Sequence, residues 1–148
     1  MLFREKIYPY LLVVIQFSCL IYILKSGPLL AEGYGGIMLE ALGIFLGLMA
    51  IYTMGLGNFN ISPRPKQNGR LITHGVYKYI RHPMYAAQLW ALLPLVIEHF
   101  NWYRLITYVI LIIALLLKMS FEENHLKNQF EAYADYMSKS KRLIPFLY

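Results

Sequence analysis

Two clusters of polar side chains could carry chemistry in an otherwise apolar sequence. The first is residues 75–85, Gly-Val-Tyr-Lys-Tyr-Ile-Arg-His-Pro-Met-Tyr, where a polar stretch runs into an apolar one. The second is the carboxylate pair Glu122 and Glu123. Pro83 suits the first turn of a helix, which would place His82 beside free backbone N–H groups that favour anions. Together the clusters suit a ligand with anionic, cationic and aromatic groups.

The same residues also fit a simpler interpretation, an interfacial belt. Tyr, Arg, His and Lys side chains commonly anchor helix ends at a membrane surface. An acidic pair commonly begins a surface helix. A shared site requires the two clusters to lie at the same membrane face, and this depends on the elements that carry them.

The composition indicates an integral membrane protein. Of the 148 residues, 58% are hydrophobic and 15% are charged, and the mean hydropathy is +0.46. Soluble domains carry about 45–50% apolar and about 25% charged residues. The net charge of +6 falls into clusters between apolar runs, so we expect membrane lipids rather than nucleic acid as partners. The single cysteine, Cys19, excludes an intramolecular disulfide.

Four apolar runs predict an all-α fold with four transmembrane helices, in one domain over residues 1–148. Since about 20 apolar residues cross a bilayer, we expect the spans at about 7–24, 34–54, 84–99 and 105–121.

The segments outside the spans are a long loop and a C-terminal helix. Residues 55–82 form a polar connection of a length that is usually functional. The spacing of apolar residues over 122–139 predicts an amphipathic helix at the membrane surface.

The positive charges predict the orientation. Of the 14 Lys and Arg residues, 12 lie near the termini or in the loop, and only Lys25 and Arg104 fall on the other side. The positive-inside rule therefore places the termini, the loop and both clusters in the cytoplasm. Gly43 and Gly47 form a small-xxx-small pair that favours close helix packing.

The two clusters share a recognisable order. Residues 71–85, Leu-Ile-Thr-His-Gly-Val-Tyr-Lys-Tyr-Ile-Arg-His-Pro-Met-Tyr, are followed one helical hairpin later by Glu-Glu-Asn-His-Leu at 122–126, and near the end by Ile144-Pro145. In these motifs the chain resembles the isoprenylcysteine carboxyl methyltransferase and phospholipid methyltransferase superfamily of small integral membrane enzymes. The likeness covers roughly residues 55–145.

The resemblance implies methyl transfer from S-adenosylmethionine to a lipophilic acceptor, either an isoprenoid or prenylcysteine-type carboxylate or a lipid amine. Lys118 and Arg81 would be catalytic, and no metal is expected. The residues that would bind the cofactor are Leu71, Ile72, Tyr77, His82, Pro83, Met84, Tyr85, Glu122 and Glu123.

Three features of the sequence indicate to which branch of the superfamily the chain is more similar. Gly55-Leu56-Gly57 resembles a Gly-x-Gly element of the phospholipid branch, and Arg64 lies where the other branch has a polar cofactor contact. Lys118 stands where carboxyl-methylating members carry an arginine. Lysine lacks the bidentate fork that arginine offers a carboxylate, which puts a prenylcysteine carboxylate in doubt.

Three other functions stay open at this point. Glu122-x-x-His125 matches the Glu-x-x-His element of di-iron sites, although the sequence has no second copy. The C-terminal pattern is partly shared with sterol reductases, which would use NADPH. A non-enzymatic membrane assembly subunit would bind no methyl donor. Neither the acceptor nor the oligomeric state follows from the sequence.

Overall fold

Helices make up the fold, as the sequence predicts. The computed structural model describes residues 7–55 and 69–145. Over these residues the only pairing outside helices and turns is an isolated parallel bridge between Ile80 and Lys141. A short 3-10 turn at Gly75–Lys78 precedes the third helix. The five α-helices are α1 Tyr8–Lys25, α2 Tyr34–Met54, α3 Pro83–Glu98, α4 Trp102–Gln129 and α5 Tyr133–Lys139.

Three of the helices, α1, α2 and α4, are long and apolar enough to cross a membrane. Helix α3 has 16 residues, which gives a length of about 24 Å. The hydrocarbon core of a bilayer is about 30 Å thick. Helix α3 is shorter than this thickness, so a fourth transmembrane helix stays a prediction.

The prediction that one separate helix covers 122–139 is wrong. Helix α4 continues for 28 residues through Glu122 and Glu123 to Gln129. The chain is then extended at Phe130, and α5 is a separate helix of 7 residues. The cause is local: no Gly or Pro follows Lys118 in α4, and Glu, Lys, Leu and Gln are good helix formers. The carboxylate pair is consequently held on a rigid helix.

Helix α2 packs closely on α3 at the predicted glycines. A Cβ atom on Gly43 would lie 2.6 Å from the backbone nitrogen of Ala91, and one on Gly47 would lie 3.3 Å from Ala87 Cβ. Only a glycine at position 43 allows this approach. The small-xxx-small pair thus fixes α2 against the backbone of α3.

A compact apolar core joins α1, α3 and α4. Ile23, Leu95, Leu111 and Leu115 are at most 1% exposed and belong to one cluster. The outward faces are apolar too, as in a protein surrounded by lipid. On α2, Met38, Phe45 and Leu48 each have more than 60% of their surface exposed.

Candidate active site

The two predicted clusters meet where α3 begins and α4 ends. Helix α3 starts at Pro83 with His82 as its N-cap residue. The connection from α3 to α4 is short, so the helices form a hairpin that brings the last turns of α4 beside His82. His82 Nε2 lies 3.2 Å from Glu123 Oε1, and His82 Nδ1 lies 3.7 Å from Glu122 Oε2. Residues 41 positions apart in sequence therefore share one site.

Glu123 is enclosed by cationic partners. Arg81 Nε donates a hydrogen bond to Oε1 at 3.0 Å, and Arg142 Nη2 donates to Oε2 at 2.7 Å. With His82 on Oε1 as well, the Glu123 side chain is 2% exposed. Charge-assisted bonds of this kind are short and strong. The negative charge of Glu123 is thus compensated within the protein.

Glu122 has a different environment although it is the adjacent residue. Its side chain is 27% exposed and lines a pocket. The Tyr85 hydroxyl donates a hydrogen bond to Glu122 Oε2 at 3.1 Å. The Tyr85 ring is stacked on the His82 ring, with centroids 5.5 Å apart and planes 9° from parallel. Glu122 is therefore the carboxylate that a ligand in the pocket can reach.

The end of α5 and the segment after it close one side of the site. Arg81 Nη1 donates hydrogen bonds to the carbonyls of Met137, at 3.2 Å, and Ser140. The backbone N–H of Arg81 donates to the Lys141 carbonyl at 2.7 Å, and that of His82 donates to the Arg142 carbonyl at 3.1 Å. Arg81 is thus held by carboxylate and backbone groups together.

Three buried tyrosines lie behind the charged residues. The Tyr136 hydroxyl donates to the Tyr77 carbonyl at 2.6 Å. Burial raises the pKa of Tyr136 to about 12. Burial also raises the pKa of Tyr77 and Tyr133 well above the usual value, and nearby Glu122 adds to this in both cases. All three hydroxyls are therefore protonated at neutral pH. Within the described residues, the Tyr133 hydroxyl is buried without a hydrogen-bond partner.

A pocket of about 110 Å³ lies between α1, α3 and α4. Eight of the eleven predicted site residues line it, and the other three, Leu71, Ile72 and Glu123, do not. Leu71 and Ile72 are half-buried before the 3-10 turn, and Leu56, Gly57 and Arg64 lie outside the described residues. The eight are Tyr77, Arg81, His82, Pro83, Met84, Tyr85, Lys118 and Glu122.

Sequence reasoning missed other residues of the site. Gln16 and Phe17 of α1, Met54 of α2 and Gln88 of α3 also line the pocket. A glutamine within an apolar span is a signal that could have indicated the two amides, because polar groups at membrane depth are usually functional. Nothing in the local sequence indicates that Arg142 reaches Glu123.

Lys118 lies at the inner end of the pocket. Its side chain is 1% exposed, and Nζ donates to Gln16 Oε1 at 2.6 Å. The ammonium group also lies 5.2 Å from the centroid of the Tyr85 ring, which permits a cation–π contact. The pocket is therefore lined by the partly exposed carboxylate of Glu122 and by the buried ammonium group of Lys118.

The Glu122-x-x-His125 element does not belong to a metal-binding group of side chains in the part of the chain that the structure describes. His125 Nδ1 lies 2.9 Å from the Phe121 carbonyl of its own helix. Over residues 7–55 and 69–145, no group of three or more His, Cys, Asp and Glu side chains could hold a metal ion.

The fold and site define a small helical membrane protein with a charged pocket between its helices. A family model described as phospholipid methyltransferase matches residues 31–133, well over half of the chain, and the chain belongs to this family. No curated protein matches the chain. The expected superfamily is confirmed, and it makes the chain a member of a membrane methyltransferase family. Helix α1 and the segment that carries Arg142 lie outside the matched residues.

Proposed function

We propose that the protein transfers a methyl group from S-adenosylmethionine to a lipophilic acceptor. The observation that carries the proposal is the meeting of His82 with Glu122 and Glu123 at one pocket, in a chain of a methyltransferase family. If these side chains only anchored helix ends at the membrane surface, the Arg and His side chains would not need to converge on one buried carboxylate.

The residues at the pocket mouth fit the chemistry of this donor. Bound S-adenosylmethionine supplies an electrophilic methyl group on a positively charged sulfonium. Glu122 offers a reachable carboxylate, which attracts a cation. Pro83 and Met84 supply apolar wall.

Glu123 and Arg81 would position other residues of the site, Glu123 from outside the pocket and Arg81 from its wall. Glu123 would fix Arg81 and His82 in place, because Arg81 Nε donates a hydrogen bond to it and His82 Nε2 lies within hydrogen-bond distance of the same oxygen. Arg81 in turn ties the C-terminal segment to the site. Leu71 and Ile72, on the segment leading into the 3-10 turn, would contact the nucleoside part of the donor.

The protein mainly has to align the reactants, since the donor is already activated. Lys118 at the inner end of the pocket would orient the acceptor, and His82 is placed to take a proton from an acceptor that carries one. Neither serine nor cysteine is among the described residues that line the pocket, which favours direct transfer.

The proposal includes the topology. One domain over residues 1–148 would cross the membrane four times, with α3 as the third and shortest crossing. The termini, the loop 55–82 and the donor site would face the cytoplasm, as the positions of 12 of the 14 Lys and Arg residues support. The polar donor would enter from the cytoplasm, while the acceptor would enter sideways from the bilayer.

The test is label transfer by the purified protein in detergent. Methyl-labelled S-adenosylmethionine is incubated with the protein and a total lipid extract, and radioactivity is counted in the organic phase. We expect the native protein and the His74→Ala control, which alters an exposed histidine of the same segment, to label lipid, and His82→Ala to lose this activity. No label with native protein would contradict the proposal, and binding of NADPH instead would favour a reductase.

A further inference from the structure

A chain of hydrogen bonds joins three helices at the inner end of the pocket. Lys118 Nζ of α4 donates to Gln16 Oε1 of α1 at 2.6 Å, and Gln16 Nε2 donates to Gln88 Oε1 of α3 at 2.7 Å. Gln16 is 3% exposed and Lys118 is 1% exposed. Polar side chains buried among apolar helices are costly, and in membrane proteins they usually mark a functional site.

The direction of the chain is fixed by its charged end. An ammonium group can only donate, so Gln16 must turn its oxygen towards Lys118 and its nitrogen towards Gln88. The Gln88 oxygen is then used as an acceptor. The last group in this series of hydrogen bonds is the amide NH2 of Gln88. The inner end of the pocket therefore presents a cation and an amide donor, both of which suit an oxygen anion.

The same arrangement is unfavourable for an amine acceptor. A lipid amine is protonated at neutral pH, and a second ammonium group beside Lys118 would be repelled at membrane depth. A lipophilic carboxylate is already ionised and would be attracted by the same cation. Lys118 lacks the arginine fork, but the Gln88 amide provides a second donor near it.

We infer that Gln16 and Gln88 are positioning residues, which hold Lys118 so that the inner pocket selects a carboxylate on a lipophilic acceptor. Helix α1, outside the family match over 31–133, thereby belongs to the acceptor site. The inference rests on the proposed function and goes further, because it commits to one acceptor group and adds the two glutamines.

Methyl transfer to a carboxylate needs no base. The carboxylate oxygen forms a bond to the methyl carbon while the carbon–sulfur bond breaks and its electron pair stays on sulfur. An anion and a sulfonium cation give a neutral methyl ester and a neutral thioether. No proton is transferred.

The native protein provides the first test. Lipid labelled from methyl-labelled S-adenosylmethionine in the presence of a total lipid extract is treated with alkali, which releases methyl esters as volatile labelled methanol and leaves N-methyl groups in the lipid. We expect volatile label. Label that stays in the lipid would overturn the inference while the proposed function stands. No label at all would contradict the proposed function itself.

Variants test the glutamines. Gln16→Leu removes the Gln16 oxygen that accepts from Lys118, so we expect the amount of extract needed for half-maximal rate to rise about tenfold or more, with unchanged affinity for S-adenosylmethionine. Gln16→Glu keeps an oxygen acceptor beside Lys118 but compensates its positive charge. A purely structural role predicts that Gln16→Glu behaves like native protein, whereas selection of an anion predicts that it remains impaired.

A matched control and a second variant complete the design. Cys19→Ala alters another buried residue of α1 that packs in the apolar core and does not line the pocket, and we expect native kinetics. Gln88→Leu acts at the far end of the chain and replaces Gln16→Leu if that variant fails to fold. Native half-saturation in the folded glutamine variants would overturn their assignment.

Discussion

Arg142 binds both carboxylate oxygens of Glu123. Arg142 Nη2 donates to Oε2 at 2.7 Å, and Nε lies 3.2 Å from Oε1. The pair joins α4 to the segment after α5, and the backbone of that segment is bonded to Arg81 and His82. One carboxylate thus holds the end of the chain against the start of α3, while its neighbour Glu122 faces the pocket.

The two glutamates should differ when each is changed to glutamine. Glu123→Gln removes the buried carboxylate charge that Arg81 and Arg142 share, so we expect about 3–5 kcal/mol less stability in the donor-free protein. Glu122→Gln should leave the unfolding temperature nearly unchanged and weaken S-adenosylmethionine binding. Thermal unfolding in detergent and calorimetry measure the two effects. Equal losses of stability in both variants would contradict the division of roles.

Removing the Arg142 side chain should release the C-terminal segment. In Arg142→Ala we expect faster cleavage by chymotrypsin near Leu143, because the link to Glu123 is lost. Lys141→Ala is the matched control, since the exposed Lys141 contributes its backbone rather than its side chain to the pairing with Tyr79 and Arg81. Identical cleavage rates in the two variants would show that the backbone contacts alone hold the segment.

Two buried tyrosines provide a second matched pair. Tyr136→Phe removes a hydrogen bond of 2.6 Å to the Tyr77 carbonyl, and we expect a loss of about 0.5–1.5 kcal/mol in stability. Tyr133→Phe removes a buried hydroxyl that lacks a partner in the described residues, so the donor-free protein should be as stable as native or more so. The unfolding temperatures of both variants and of the native protein, measured without ligand, test this difference. A clear loss in Tyr133→Phe would mean that the hydroxyl has a partner in solution.

The contact between α2 and α3 can be tested at two glycines of α2. A side chain at Gly43 would meet the backbone of Ala91 at 2.6 Å, whereas nothing lies within 4 Å of a Cβ atom on Gly35. We expect Gly43→Val to lower the unfolding temperature and expression strongly, and Gly35→Val to have little effect. If the valine at position 43 were tolerated as well as that at position 35, the close packing would be wrong.

The sequence predicts the first three helices closely because each is one apolar run between polar breaks. Helix α2 covers 34–54 as expected, and α1 and α3 differ by one residue at each end. The end of α4 was missed because a helix does not stop where hydrophobicity stops. Its polar continuation contains helix formers and no breaker.

The site could be predicted only in part, for geometric reasons. Consecutive residues of a helix point about 100° apart, so the sequence cannot say which of two adjacent glutamates faces the pocket. The bond from Lys118 to Gln16 joins positions 102 residues apart. Such contacts depend on how the helices pack, and no local pattern contains that information.

The most direct test of the central claim, a methyl-donor site around His82 and the two glutamates, is calorimetric titration of the purified protein in detergent with S-adenosylmethionine. We predict saturable binding at one site in native protein and in His74→Ala, and no measurable binding in folded His82→Ala. Absence of binding to native protein, or unchanged affinity in His82→Ala, would contradict the claim.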